Sequence, residues 1–191
     1  MRSLKLLLDY KHNKKWTHVN KAFSTSFSKR ILDLFPDPFY SLNSSGKRDG
    51  SNEYRSFITR SHEGYQLFEV WNTNYAKQKL SDISGVDCTR GKLRIELCQD
   101  APGFWLEKHI DIPEKVITFQ IDVGRGTREW GTTIYDHKDT ITIPFLHNSG
   151  WMTYANSKCI HGVEPGAVDG VRRSIIINYV VGDWRDTDQL Y

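Results

Sequence analysis

The second half of the chain constrains the fold most, because from residue 93 onward it is a series of short alternating runs. Leu93, Ile95 and Leu97 alternate with Arg94, Glu96 and Cys98, and Ile117, Phe119, Ile121 and Val123 alternate with Thr118, Gln120 and Asp122. Successive strand residues project to opposite faces, so each run packs one face and presents the other to something more polar. Similar runs fall at 104–108, 116–123, 132–135, 140–144, 151–155, 160–164 and 172–181, about eight strands in all. Eight short strands separated by turns predict a closed or two-sheet antiparallel architecture, of which the jelly roll is the eight-stranded form.

The first half reads differently. Trp16, Val19, Phe23, Phe27, Ile31 and Leu34 recur every three or four residues, which predicts one amphipathic helix ended before Pro36 and Pro38. Leu67, Phe68, Trp71 and Tyr75 predict a second helix from about Tyr65 to Leu80, with Asn72, Asn74, Lys77 and Lys79 outward. The polar, glycine-bearing stretch Ser41 to Asn52 predicts a surface loop. The expectation is a single domain over 1–191, mainly β, with a helical part at about 1–85 and a jelly-roll (double-stranded β-helix) core at about 90–182. About two helices should cover one sheet.

Composition narrows the function classes. A chain of 191 residues, 13% aromatic, can bury a core without a partner. Twenty-six Lys and Arg against 23 Asp and Glu leave +3, which demands no nucleic acid. The basic bias of the first thirty residues, from Lys5 to Arg30, reads as a solvated face. Leu4 and Leu6 to Leu8 are interrupted by Lys5 and bounded by Asp9, too short a run for a signal segment, and nothing longer is expected to span a membrane. Cys88, Cys98 and Cys159 form no C-x-x-C pair, so neither a disulfide framework nor a thiolate zinc site is indicated and a reducing, cytoplasmic setting is expected.

His109 and Asp111 stand two apart in an extended segment, so both side chains can grip one ion. A second histidine would complete a two-histidine, one-carboxylate face that leaves iron(II) three open positions, and His161 is the candidate. The same set also suits zinc. An isolated H-x-D arises often by chance, and a strand histidine is often a hydrogen-bonded structural residue. Eleven residues after His161, Arg172-Arg173-Ser174 opens an apolar strand. A guanidinium holds a carboxylate by two parallel charge-assisted bonds, so Arg172 can grip the distal carboxylate of a dicarboxylic cosubstrate with Ser174 on the same face, and Arg173 should point away.

With these segments in place, HIDIPEKVITFQIDVG, GTTIYD, HGVEP and RRS, the chain resembles the 2-oxoglutarate and iron(II)-dependent oxygenase superfamily, in its prolyl-hydroxylase-like branch, over roughly residues 92 to 181. The resemblance implies His109, Asp111 and His161 for iron and Arg172 with Ser174 for 2-oxoglutarate. It implies a dioxygenase using Fe(II), 2-oxoglutarate and O2 to hydroxylate an unactivated carbon of a small polar metabolite, a sugar derivative or a peptide side chain. No catalytic residue beyond the metal ligands is called for. Thr118 and Gln120, on the polar face of their strand, are candidate cosubstrate or substrate contacts, as a half-exposed strand would equally produce. Asp111 argues against halogenation, and the absence of an R-x-N-x-x-x-R tail after His161 weighs against nucleobase demethylation. Alternatives are another cupin-like metalloenzyme, an isomerase or zinc hydrolase, and a non-catalytic jelly-roll binding protein. Tyr135 is a lesser site candidate, His137 and His147 read as loop or surface residues, and Cys159 reads as a buried neighbour of the metal rather than a nucleophile.

Overall fold

The structure is a computed structural model that describes residues 9–12, 15–35, 55–58, 69–136, 139–154, 157–182 and 184. In chain order its elements are β1 (Asp9–His12), β2 (Trp16–Lys21), α1 (Thr25–Ile31), β3 (Arg55–Ile58), α2 (Asn74–Ser84), β4 (Lys92–Asp100) and β5 (Leu106–His109). Six strands complete it: β6 (Lys115–Val123), β7 (Thr132–Tyr135), β8 (Thr140–Ile143), β9 (Gly150–Tyr154), β10 (Ile160–Val163) and β11 (Arg172–Val180). A seven-stranded sheet in the order β1-β2-β9-β6-β11-β4-β3 faces a four-stranded sheet in the order β5-β10-β7-β8. Every pairing is antiparallel. The chain is thus mainly β, a jelly roll, and each of the alternating runs from residue 93 onward forms one of the strands β4 to β11.

The alternation decides what each face of the large sheet touches. Ile117, Phe119 and Ile121 of β6 pair with Tyr179, Ile177 and Ile175 of β11, and these, with Val123, pack with Phe23, Phe27, Ile31, Ala76, Leu80 and Ile83 from the helical side. Both helices therefore cover the outer face. Trp71 anchors the contact, edge-on to Phe23 at 6.0 Å and to Phe119 at 5.8 Å between ring centroids, and its carbonyl accepts a hydrogen bond from the Tyr179 hydroxyl. Aromatic pairs in this geometry contribute about 0.5–1.5 kcal/mol beyond their buried area. Between the sheets, Trp151 of β9 meets Ile134 of β7 and Ile143 of β8, while Phe104, Trp130, Phe145, Val163 and Val168 close one end.

The first half departs from expectation in two ways. The stretch expected to be helical from Trp16 is a strand to Lys21, and α1 starts only at Thr25. Thr17 and Val19 are fully buried while Asn20 and Lys21 are exposed, and β2 pairs with β9 from Trp16↔Thr153 to Val19↔Gly150. A partner strand more than 130 residues away supplies the ladder that local spacing could not reveal. The second helix begins at Asn74 rather than near Tyr65 and runs to Ser84. The Thr73 hydroxyl caps it by accepting the Ala76 N–H at 3.2 Å, and Gly85 ends it in the left-handed region at φ 71°. Tyr75, expected inward, is 64% exposed. Residues 65–68, the loop expected at 41–52, and His137 lie outside the described residues. Among the described residues no helix is long and apolar enough to cross a membrane.

Candidate metal centre

His109 ends β5 and His161 lies opposite it in β10, the two being register partners across an antiparallel pair. Their ring centroids are 4.3 Å apart. Asp111 follows His109 in the extended link to β6, and one ligand atom from each of His109, Asp111 and His161 lies within 4.8 Å of the others. Each imidazole is oriented from behind: Nδ1 of His109 is 2.9 Å from the Glu107 carbonyl and Nδ1 of His161 is 3.1 Å from the Cys159 carbonyl. With Nδ1–H donated to a carbonyl, Nε2 carries the lone pair that a metal takes. Trp151 packs edge-on against His161 at 4.7 Å.

The charges suit a cation. Burial, added to the neighbouring His109, pushes His161 down to about 4, so its ring is neutral and ready to coordinate at pH 7. Burial alone would raise Asp111, but Lys115 and His161 outweigh it and hold the carboxyl well below the usual range. Lys115 Nζ donates to Asp111 Oδ1 at 2.7 Å, while Asp111 Oδ2 is buried without a hydrogen-bond partner among the described residues. An unpartnered buried carboxylate oxygen beside two oriented imidazoles is a donor set that fits one divalent ion of the iron or zinc type.

The cosubstrate candidates come from the facing sheet. Arg172 and Ser174 of β11 are fully buried on the inner face, whereas Arg173 points outward, its Nε donating to Gln99 Oε1 at 3.1 Å. Arg172 Nε donates to the Trp130 carbonyl at 2.7 Å and Nη1 to Asp100 Oδ2 at 2.6 Å. Its Nη2 and the Ser174 Oγ have no partner among the described residues. Two buried, unpartnered donors on one strand face suit a carboxylate of a dicarboxylic ligand.

Thr118 and Gln120 are both buried on that inner face. The Thr118 hydroxyl donates to Asn178 Oδ1 at 2.9 Å, and Gln120 Nε2 lies 3.1 Å from Asp122 Oδ1 and 3.2 Å from Thr132 Oγ1. Tyr135 pairs with Ile160 rather than His161, its hydroxyl donating to Glu164 and Lys108 lying 4.0 Å over its ring. His147 accepts the Gly124 N–H at 3.0 Å on a turn. Burial pushes the Cys159 thiol up to about 11, which leaves no thiolate at neutral pH.

Sequence reasoning missed three participants. Lys115 sits four residues after Asp111, a signal present in DIPEK. Asp100 is the last polar residue of β4's inner face, legible as a face but not as a partner of Arg172. Nothing in the sequence marks the Trp130 carbonyl.

No protein-family model and no curated protein matches the chain. Solved structures do. A prolyl hydroxylase from Trichoplax adhaerens, determined in complex with a peptide fragment of hypoxia inducible factor, is 13% identical over 88% of this chain and 84% of that one, with a TM-score of 0.68. A prolyl-4-hydroxylase from Pseudomonas putida is 9% identical over 88% and 89%, at 0.61. A 2OG-Fe(II) oxygenase family oxidoreductase from Burkholderia pseudomallei is 15% identical over 83% and 79%, at 0.58. The chain shares its fold with these solved oxygenase and prolyl hydroxylase structures.

Proposed function

We propose that the protein is a non-haem iron(II), 2-oxoglutarate-dependent dioxygenase that hydroxylates an unactivated carbon of a small polar metabolite, a sugar derivative or an exposed peptide side chain. The observation that carries this reading is the convergence of His109, Asp111 and His161 on one sheet edge, with unpartnered donors of Arg172 and Ser174 on the facing sheet. His109, Asp111 and His161 would hold the ion, and Lys115 keeps the Asp111 carboxylate charged and aimed. Arg172 and Ser174 hold the far carboxylate of 2-oxoglutarate, and Trp151 keeps water off the His161 side. When bound, iron and 2-oxoglutarate supply the oxidation, with O2 consumed, 2-oxoglutarate decarboxylated to succinate and one oxygen atom placed in the substrate. No protein acid or base is needed.

A groove beside Asp111, lined among others by Ile110, Ile112, Pro113, Thr118, Tyr154 and Lys158, is the proposed substrate entrance. Its mixture of apolar rim and polar wall suits a substrate with both kinds of surface. The peptide in the Trichoplax neighbour supports keeping peptide side chains among the candidates. The test is succinate release from the iron-loaded full chain in air, across a panel of metabolites, sugars and peptides. Stimulation by one class, lost in Asp111→Ala, is expected. Iron bound at one equivalent with no succinate from any mixture would contradict the proposal.

A further inference from the structure

Arg172 is not held in reserve for a ligand. It already carries a fully buried ion pair with Asp100, and a second buried carboxylate, Asp122 of β6, lies on the same inner face as the register partner of Ser174. The inner faces of β4, β6 and β11 thus bring two carboxylates to one guanidinium, a net charge of −1 if both are ionised. A ligand carboxylate arriving at Arg172 Nη2 and Ser174 Oγ would be the third anion on a single cation away from water. Like charges at such range are not all kept ionised in a buried site, and one takes a proton.

Asp122 is the group placed to take it. Burial pushes its carboxyl up to about 7; Asp100 adds to the rise, while Arg172, Gln120 and the Leu146 backbone N–H restrain it. These are the groups that act on it from its own strand, from β4, from β11 and from the loop before β9. His147, on that same loop, is engaged with the Gly124 N–H. None of the three cluster residues is a proposed metal ligand.

We propose that the Asp100, Arg172 and Asp122 cluster makes cosubstrate binding proton-coupled: the dicarboxylate binds the cluster only when Asp122 carries a proton. The inference rests on the reading of Arg172 as the anchor of 2-oxoglutarate. Below neutral pH the proton is already in place, and binding takes none from solution. Above it, each 2-oxoglutarate draws one proton from the buffer, and affinity falls by up to a decade per pH unit.

The experiment is calorimetric titration of 2-oxoglutarate into the anaerobic iron(II)-loaded full chain, at pH 6 and pH 8, in buffers of different ionisation enthalpy. Proton uptake should be about 0.1 per ligand at pH 6 and about 0.9 at pH 8, with affinity about tenfold weaker at the higher pH. Asp122→Asn, isosteric and uncharged, should bind equally at both pH values with no uptake. Asp100→Asn should bind about tenfold tighter than wild type at pH 8, because a competing anion is gone. Tight wild-type binding at pH 8 without proton uptake, or unchanged uptake in Asp122→Asn, would overturn the coupling while leaving the oxygenase reading intact. No 2-oxoglutarate binding at either pH, in wild type or in Asp122→Asn, would overturn the Arg172 reading and the coupling with it.

Discussion

Replacing Arg172 by Lys tests whether the guanidinium's shape, rather than its charge, holds the inner face together. Arg172 spends one nitrogen on the Trp130 carbonyl at 2.7 Å and another on Asp100 at 2.6 Å, and the third is buried with no partner among the described residues. A lysine ammonium can keep the Asp100 contact, but its three donors leave from a single nitrogen and cannot span the separated positions that Nε, Nη1 and Nη2 occupy. It leaves the Trp130 carbonyl without its donor and removes the prong available to a ligand. A charge-assisted hydrogen bond is worth about 1.5–3 kcal/mol, so urea unfolding should show a loss of that order. The same quantity, applied to the ligand, raises the 2-oxoglutarate dissociation constant roughly tenfold or more. Arg173→Lys keeps its charge and changes contacts on the outer face, among them the one with Gln99, so 2-oxoglutarate affinity should stay within about twofold. Both variants are titrated with 2-oxoglutarate in the anaerobic iron complex. Equal effects at the two positions, or an effect confined to Arg173, would mean that the inner face of β11 is not the ligand face.

Asp111→Ala removes the one carboxylate of the proposed ligand set and should weaken iron binding beyond the roughly 10–100-fold typical of outer-shell changes, while His147→Ala leaves it unchanged; anaerobic iron titration distinguishes them. A Cβ on Gly131 would lie 1.8 Å from the Ile143 carbonyl oxygen, so Gly131→Ala must displace backbone next to the Trp130 carbonyl and should cost more than about 2 kcal/mol in chemical denaturation. Asp122 has its folded carboxyl raised from 3.8 to about 7, so its contribution to stability is fully present below about pH 4, is lost as pH rises toward 7, and is flat beyond. At about 1.4 kcal/mol per pH unit that is at most roughly 4 kcal/mol. The stability difference between wild type and Asp122→Asn should follow this curve; a pH-independent difference would contradict it. His161, pushed down instead, contributes the opposite slope to both proteins and cancels in the comparison.

Strands such as β4 and β6 were legible because apolar residues alternate with polar ones along them, a pattern that survives without knowledge of its partners. The convergence of His109 with Asp111 was legible for the same reason, since two residues on one extended face share a direction. His161 was legible as a candidate third ligand, but its place opposite His109 was not, because the intervening chain carries no distance information; only the β5–β10 register brings the two together. What stayed hidden depends on pairing at long range. Strand β2 mimicked a helix because Val19, Phe23, Phe27 and Ile31 all reach one core, although the backbone changes state between Lys21 and Thr25. The Arg172 partner Asp100 lies 72 residues away, and only the β4–β11 register, Arg172↔Asp100, brings them together.

In the proposed reading, His109, Asp111 and His161 would hold an iron(II) ion that 2-oxoglutarate chelates. The most direct measurement is an anaerobic titration of 2-oxoglutarate into the iron(II)-loaded full chain, following the metal-to-ligand charge-transfer absorption. One equivalent of iron and one of 2-oxoglutarate should give a saturating band that is absent in His161→Ala. Iron bound at one equivalent in both proteins, with no band in either at saturating 2-oxoglutarate, would contradict that reading.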